Sequence, residues 1–392
     1  MDASLFISRR LRFKGKIAMT SIAISFLVMI IAVSVSAGFR HEIREGISFV
    51  CGDVQLMPLN MNLLDEASPV ESDAAYMPCL KDMEGVQSVV PVIYRAGIVR
   101  HNEEIHGVLM KGVPKEYLQF EKPDSVSLAI SIPRRLSELT GIGAGDRMLT
   151  YFIGSKVRAR QFNVVSVYDS ALETDDKLMV YADISDLQRL NGWDEQQASA
   201  IEIMLDAKCR DRIEEKTEEI GFAVYSYSSE DDTTVLATSC VSRYPQIFDW
   251  LHLMDFNVLF ILILMTIVAG FNMISGLLIM LFENISTIGL LKTLGMTDRA
   301  IAKVFLSSSA VLTIKGMAIG NALAIIFCVV QSTTHLLKLN PANYFVSYVP
   351  VHLDFSLILT ADVISFAAIM LLLLIPCVFI SKVDPAETVR VR

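Results

Sequence analysis

Four long apolar runs divide the chain and predict its transmembrane segments. They are Ile17 to Ala37, Asn257 to Phe282, about Val304 to Gln331, and Phe355 to Ile380. The second run has 26 residues and contains no Asp, Glu, Lys or Arg. As a helix it would be roughly 39 Å long, enough to cross a hydrocarbon core of about 30 Å with some tilt. The pattern therefore predicts four membrane-spanning helices.

The chain between the first and second runs shows the shorter patterns of a separate domain. Gly38 to Ile47 predicts a helix that continues the first span, with Phe39, Ile43 and Ile47 along one stripe. Strands are predicted at Asp53 to Met57, Val86 to Val99, His106 to Pro114, Arg147 to Ile153, Val157 to Tyr168, Leu178 to Ala182 and Ala200 to Leu205, and helices at Ile132 to Leu139, Ile184 to Leu190 and Lys208 to Ile220. This order predicts an α+β domain with a more β-rich piece inserted near its middle.

The segment between the second and third runs mixes leucines with polar residues between two glycines. In order, these residues are Gly289, Leu290, Leu291, Lys292, Thr293, Leu294 and Gly295. The segment is too short to span a membrane, and its mixed faces suit a helix at the membrane surface or in the cleft of a soluble partner. An ordinary interhelical loop is the alternative, but such a loop would carry more Gly, Asn, Ser and charge. The pattern favours a docking helix.

The distribution of charge orients the predicted spans. Lys and Arg are concentrated before the first run, in residues 283–303 and in the C-terminal tail, whereas the loop before the fourth run has only Lys338. Because cytoplasmic loops carry an excess of Lys and Arg, both termini and residues 283–303 are predicted to be cytoplasmic. The predicted order is a cytoplasmic segment 1–16, a span 17–38, a periplasmic domain 39–255, a span 256–282, a cytoplasmic coupling loop 283–303, a span 304–331, a short periplasmic loop 332–354, a span 355–380 and a cytoplasmic tail 381–392.

Composition supports a hybrid of membrane and water-exposed parts. The chain has 392 residues, of which 53% are hydrophobic, and its mean hydropathy is +0.47. Residues 39–255 carry 21 Lys and Arg against 36 Asp and Glu, in a chain whose net charge is −9. The acidic character therefore belongs to the large domain, and no basic patch for a nucleic acid is predicted.

No constellation of residues typical of an enzyme is found in the sequence. A G-x-x-x-x-G-K-[ST] motif is absent, so we expect this chain to bind neither ATP nor another cofactor. His101 and His106 are interpreted as hairpin surface residues, and no catalytic or metal-binding residue is expected. Cys51, Cys79, Cys209 and Cys240 would allow one or two disulfides in an oxidising compartment, but unpaired core cysteines are favoured.

Two ionisable residues lie within the apolar runs, and a structural role is favoured for both. Lys315 lies either inside the third span or, if that span starts at Gly316, at the cytoplasmic headgroups. Asp362 lies seven residues after Phe355, close enough to the outer surface to be wetted or paired. Gly316 and Gly320 are four residues apart, a spacing that permits close packing of helices.

The segment after the second run resembles a motif of the FtsX/MacB-type ABC transporter permeases. In that family the pattern E-K-x-x-E-I-G-I-L-K-x-L-G is the coupling helix that meets the ATPase. This chain has Glu283, Ile288, Gly289, Leu290, Leu291, Lys292, Leu294 and Gly295 in matching order, and it departs from the pattern at Thr287, where the family has a second Glu. The resemblance implies that these eight residues couple the chain to a separate ATP-binding subunit.

Further stretches resemble the lipoprotein-releasing, LolC/LolE-like branch of this family. They are Ala37 to Ile43, Gly107 to Pro114, Arg135 to Asp146, Phe162 to Asp169, Leu339 to Asp354 with Pro341, Tyr344 and Pro350, and the tail with Asp384, Pro385 and Ala386. The resemblance implies an α-helical membrane protein with four transmembrane helices and a large α+β periplasmic domain, of the MacB-like core type, inserted between the first and second. It also implies a bacterial inner-membrane location and, as partners, an ABC ATP-binding subunit, a second permease copy or paralogue, a lipoprotein substrate, a periplasmic lipoprotein carrier and membrane lipid.

Two other functions in the same family stay open at this point. One is a MacB-like efflux permease, which usually carries its own fused ATPase, and the other is an FtsX-like signalling module that controls a peptidoglycan hydrolase. In the lipoprotein-releasing interpretation, ATP acts only through the partner subunit, and acyl chains enter an apolar cavity near the outer ends of the first two spans. Lipid-facing residues predicted to line that cavity are Phe26, Met29, Ile30 and Val33, opposite Val258, Leu262 and Met265.

Overall fold

The chain folds into two units, one helical and one built around a β-sheet. The computed structural model describes residues 16–59, 61, 69–101, 104–118, 120, 127–154, 157–169, 178–229, 232–340, 344 and 346–377. The helical unit lies within residues 16–41, 249–338 and 348–377, and the sheet unit within residues 42–248 and 339–347. Three parts of the sequence predictions lie outside the described residues. They are the basic residues before Lys16, Pro341 in the stretch from Leu339 to Asp354, and the tail with Asp384, Pro385 and Ala386.

The apolar runs form long helices, as predicted. The helices of this part of the chain are α1 (Lys16–Cys51), α7 (Pro245–Glu283), α8 (Ile285–Thr293), α9 (Asp298–Thr334), α10 (Phe355–Leu372) and α11 (Leu374–Cys377). Among the described residues, four stretches are long and apolar enough to cross a membrane: Ile17–Cys51, Pro245–Glu283, Asp298–Thr334 and Phe355–Cys377. The predicted continuation of the first span is confirmed, since α1 is unbroken to Cys51.

Two glycines of α9 let that helix approach α1 closely. Gly316 and Gly320 are both buried. A Cβ atom at Gly320 would collide with the carbonyl oxygen of Ala23, and one at Gly316 would collide with the side chain of Ile22. The predicted role of the two glycines in helix packing is therefore confirmed.

Eleven strands and five short helices were identified in the described residues of the sheet unit. The strands are β1 (Val54–Pro58), β2 (Val70–Glu71), β3 (Val86–His101), β4 (Glu104–Val113), β5 (Ala129–Pro133), β6 (Arg147–Phe152), β7 (Arg158–Tyr168), β8 (Leu178–Asp183), β9 (Gln197–Ala198), β10 (Ala200–Leu205) and β11 (Val235–Ser239). The helices are α2 (Met77–Lys81), α3 (Arg134–Thr140), α4 (Ile184–Asn191), α5 (Ile213–Tyr227) and α6 (Cys240–Arg243).

Nine of these strands form one sheet, and part of it closes into a barrel. The strand order is β11-β1-β10-β3-β4-β8-β5-β7-β6, and β2 pairs separately with β9. The second half of β3 also pairs with β6, with Ile98 opposite Tyr151, so that the six strands from β3 to β6 in this order close on themselves. Ile93, Met110 and Phe162 belong to a buried cluster contributed by these strands. The barrel is the β-rich piece that the sequence predicts near the middle of the domain.

The predicted helix from Ile132 to Leu139 is partly wrong. Ile132 lies in β5, and α3 starts only at Arg134, after Pro133. The residue before a proline favours extended backbone, which explains why the strand continues to this point. Similarly, α5 starts at Ile213 rather than Lys208, because a 3-10 turn at Arg210–Arg212 precedes it.

Candidate functional site

Helix α8 occupies the segment that the sequence predicts to dock on a partner. Glu283 ends α7, Asn284 separates the two helices, and α8 then runs from Ile285 to Thr293. Ile288 is 1% exposed and belongs to the buried core of the helical unit, against which Leu291 also packs. One face of α8 is therefore held by that core.

A glycine turn ends α8 and fixes the start of α9. Gly295 has a φ of 88°, a left-handed conformation that side chains rarely adopt. The Met296 N–H donates to the Leu291 carbonyl, and the Gly295 N–H donates to the Lys292 carbonyl, both at 3.0 Å. These bonds form a Schellman motif, and its usual apolar contact is provided by Met296 and Leu291, which pack on the same core.

Lys292 takes part in this turn. Its Nζ lies 3.0 Å from Oδ1 of Asp298, in the first turn of α9, and only 12% of its side chain is exposed. The side chain of Thr297 caps the same helix by accepting from the Ala300 N–H. The charge of Lys292 is therefore engaged within the chain.

The opposite face of the segment exposes two leucines. Leu290 is 58% exposed and Leu294 is 75% exposed. Leu290 lies in α8 and Leu294 is the C-cap residue that follows it, one helical turn further on, so both lie on the same side. Exposed leucines on a short helix whose other face is buried suit docking into an apolar cleft. The eight predicted coupling residues thus divide by exposure. Ile288, Gly289, Leu291 and Lys292 are buried or half-buried, whereas Glu283, Leu290, Leu294 and the turn residue Gly295 are exposed.

The prediction that a stripe of the first helix faces lipid is wrong. Phe26, Met29 and Ile30 are fully buried, and Val33 is only 9% exposed. The reason is that α9 packs closely on α1, while Ile30 belongs to a buried cluster with residues of α9 and α10. Of the opposite set, Val258, Leu262 and Met265 are half-buried. A role of these seven residues in a substrate cavity stays a prediction.

Hydrogen-bonded side-chain pairs connect the apolar helices, and the sequence pattern revealed only part of this network. Asn272 of α7 donates to Ser21 of α1, and Thr266 of α7 donates to Ser365 of α10 at 3.1 Å. Asn321 of α9 donates to Asp362 of α10 at 2.5 Å, which gives Asp362 a partner. Isolated asparagines in otherwise apolar runs were the available signal. Since polar groups in apolar surroundings need partners, these pairs restrict how the helices rotate against each other.

Replacing Asp362 with leucine is expected to destabilise the helical unit, whereas asparagine is expected to be tolerated. Asp362 is 7% exposed, and leucine would leave the Asn321 amide without its acceptor, at a cost of about 1–3 kcal/mol. Asparagine keeps an oxygen acceptor of the same size. Thermal unfolding of the purified chain in detergent measures both effects. An equal loss for the two variants would show that the carboxylate charge matters rather than the hydrogen bond.

Polar contacts also join α1 to α7 and to the segment before α10. Arg40 lies 2.5 Å from the Asp255 carboxylate, to which Ser36 donates at 2.8 Å. A Cβ atom on Gly38 would collide with the Pro350 carbonyl, so the chain at Pro350 lies directly against α1. Pro350 belongs to the stretch from Leu339 to Asp354 that resembles the lipoprotein-releasing branch, and this contact gives that stretch a structural role.

The described residues offer little for metal or thiol chemistry. Within them, no group of three or more His, Cys, Asp and Glu residues could hold a metal ion. All six cysteines are free; of the four in the sheet unit, Cys51 and Cys240 are buried as expected of core cysteines, whereas Cys79 and Cys209 are half-buried. Burial raises the pKa of the Cys240 thiol well above its usual range, which keeps this cysteine protonated and unreactive.

The C-terminal part of the chain matches a known family. The family model described as "FtsX-like permease C-terminal" matches residues 259–385, a range that includes α8 and the whole of α9 and α10. The lipoprotein-releasing system transmembrane protein LolC of Neisseria meningitidis serogroup B is 22% identical over 407 residues, covering 96% of this chain and 94% of that protein. The LolC protein of Xylella fastidiosa is 20% identical, covering 97% of this chain and 95% of its own.

Two solved structures are also similar to parts of the chain. The periplasmic region of MacB from Actinobacillus actinomycetemcomitans is 13% identical with a TM-score of 0.33, covering 50% of this chain and 91% of that one. The extracellular domain of the transporter YknZ from Gram-positive bacteria is 16% identical with a TM-score of 0.30, covering 47% of this chain and 98% of that one.

Proposed function

We propose that this chain, which is an ABC transporter permease of the FtsX/LolC type, is the membrane subunit of a machine that releases lipoproteins from the bacterial inner membrane. The observation that carries the proposal is α8, a short helix anchored by Ile288 that exposes Leu290 and Leu294 between two apolar helices. The substrate class comes from the relatives, whose names describe a lipoprotein-releasing system and which match nearly the whole chain.

In this mechanism the chain supplies no catalytic group of its own. A separate ATP-binding subunit receives α8 in an apolar cleft, and ATP is bound and hydrolysed only by that subunit. Because the core of the helical unit holds α8, a displacement of the ATPase is passed to α1, α7 and α9 as a movement of packed helices. Such transmission requires no polar channel through the membrane. A lipoprotein leaving the outer leaflet is then passed to a periplasmic carrier, and a second permease, identical or related, completes the membrane part.

Topology can be tested by labelling introduced cysteines. We propose that the sheet unit is periplasmic and that α8 with the turn after it is cytoplasmic, as the distribution of Lys and Arg predicts. In a cysteine-free chain, an impermeant thiol reagent added to intact spheroplasts should label Tyr225→Cys and leave Thr297→Cys unlabelled. Both positions are exposed, so a difference in accessibility reflects the side of the membrane. Labelling of Thr297→Cys would contradict this orientation.

Lipoprotein release is tested by depleting the chain from cells. Lipoproteins destined for the outer membrane are then expected to accumulate in the inner-membrane fraction. Spheroplasts that contain the chain should release a lipidated reporter to added carrier, but should not release the same reporter without its lipid-attachment cysteine.

Other outcomes of this experiment would favour the other members of the family. Unchanged lipoprotein distribution with increased sensitivity to amphipathic drugs would favour an efflux permease. Unchanged distribution with failed cell separation would favour a module that controls a peptidoglycan hydrolase.

A further inference from the structure

The core of the sheet unit contains a lysine and a glutamate that are both removed from water. Lys111 of β4 and Glu202 of β10 lie 2.8 Å apart, with 3% and 6% of their side chains exposed. Tyr94 of β3 donates its hydroxyl proton to the other oxygen of Glu202. Burial and the neighbouring Glu202 raise the pKa of Tyr94 well above its usual range, so the hydroxyl stays a donor.

This cluster contacts the last turn of α1. Lys111 Nζ also donates to the carbonyl of Val50 at 2.8 Å, and the Tyr94 hydroxyl lies 3.3 Å from the same oxygen. The final carbonyls of a helix have no partner within the helix, and a cation beside them is favoured by the helix dipole. One ammonium group thus binds both the end of α1 and the carboxylate of Glu202.

A second buried carboxylate holds the chain directly after the helix. Asp53 is fully buried and accepts from the Ser48 hydroxyl, from the Leu205 N–H at 2.8 Å and from Arg210 at 3.2 Å. Gly52, with a φ of 72°, makes the turn between the helix and Asp53. The last turn of α1 is therefore attached to β10 on both sides of this glycine.

Stability alone does not account for the buried ion pair. Removing two charges from water costs about as much as their attraction returns, and apolar residues of similar volume often give equal or greater stability. A buried ion pair does, however, fix the orientation of the groups that it joins, because its hydrogen bonds allow only one arrangement of them. The contacts at Val50 therefore specify where the end of α1 lies.

We infer that Lys111, Glu202 and Tyr94 are positioning residues that attach the carboxyl end of α1 to the sheet, so that movement of α1 is passed to the sheet unit without loss. The inference rests on the proposed function, in which α1 is displaced during the ATPase cycle. If the last turn of α1 were free to fray, part of its displacement would be absorbed there.

The decisive variant replaces the ion pair by two apolar residues of similar volume, Lys111→Met with Glu202→Met. We expect this chain to fold, to bind the ATPase and to hydrolyse ATP at the wild-type rate. The amount of lipoprotein released per ATP hydrolysed should fall several-fold. The Gly52 N–H donates to the Ser48 carbonyl at 2.7 Å, and its rate of hydrogen exchange should increase. Tyr94→Phe, which removes one hydroxyl, should give a smaller loss of the same kind.

A matched control removes an ion pair whose two partners both lie outside α1. Arg134 and Asp169 form such a pair on the surface of the same unit, and Arg134→Met with Asp169→Met should leave the release ratio and the exchange of Gly52 unchanged. Wild-type release per ATP together with unchanged exchange at Gly52 in the Lys111/Glu202 variant would overturn the inference. Loss of folding in that variant would also overturn it, because the pair would then serve stability.

Failure of the proposed function is recognised separately. In that case the wild-type complex itself releases no lipoprotein. The exchange of Gly52 would still report whether the ion pair anchors the helix end.

Discussion

Leu290→Asp and Leu294→Asp chains are expected to fold in the membrane but to bind the ATPase subunit more than about a hundredfold more weakly. Each leucine is more than half exposed, so the carboxylate is hydrated in the free chain and does not disturb the helical unit. On docking, the charge would enter an apolar cleft unpaired, at a cost of about 3 kcal/mol or more. Copurification of the ATPase and its hydrolysis rate in the complex are the measurements.

Two kinds of control variant distinguish a loss of docking from a loss of folding: replacement of the exposed leucines by methionine, and an aspartate substitution at a buried position. Leu290→Met and Leu294→Met keep an apolar side chain of similar volume and should bind the ATPase normally. Ile288→Asp should instead fail to fold, because Ile288 is 1% exposed and belongs to the core of the helical unit. If the Leu290→Asp and Leu294→Asp chains still bind the ATPase and the complex hydrolyses ATP at the normal rate, α8 is not the coupling helix.

Gly320→Leu is expected to prevent the helical unit from folding, and Gly320→Ala to weaken it. A Cβ at Gly320 meets the backbone carbonyl of Ala23, which cannot move without displacing α1. Overpacking that forces the backbone to shift typically costs about 1–3 kcal/mol, and more for a side chain as large as leucine. Thermal unfolding in detergent, followed by a probe in the helical unit, measures the loss.

Gly221→Ala in α5 is the matched control, because it is also a helical glycine. There the added Cβ would meet only the Cβ of Ala237 at an ordinary distance of 3.6 Å. The gain in helix propensity should then stabilise the sheet unit by up to about 1 kcal/mol. If Gly320→Ala also stabilises the chain, α1 and α9 do not pack as closely as described.

The sequence was sufficient to predict the long helices and α8, because both are recognised from residues that are close together in the chain. Uninterrupted apolar runs indicate spans, and Gly289 to Gly295 is too short and too mixed to be one. The burial of α1 could not be predicted in the same way. The apolar run of that helix carries no charge, and its only polar residues are one threonine and a few serines, among them Ser21, Ser25 and Ser36. Its sequence therefore gives only a weak signal of which side meets α9.

Charged residues were harder to interpret, because their partners are distant in sequence. Lys292 was interpreted as part of the surface that meets the ATPase, yet it turns to Asp298 within its own chain. Lys111 and Glu202 are 91 residues apart and lie on different strands, so no local pattern marks them as a pair. Only the pairing of β3 with both β4 and β10 brings Tyr94, Lys111 and Glu202 together.

Strand β3 pairs with β10 along its first part and with β4 along its second, which limits where residues can be inserted into or deleted from this chain. Residues 86–92 of the strand pair with β10, and residues 93–101 pair with β4 in the barrel. Because side chains alternate between the two faces of a strand, one residue inserted between Val92 and Ile93 would reverse the facing of residues 93–101 relative to residues 86–92. Ile93 and Val99 could then not stay in the barrel core while Val90 and Val92 keep their own buried positions. Tolerated insertions should therefore avoid β3 and accumulate between strands, which random insertion followed by selection for a folded chain would show.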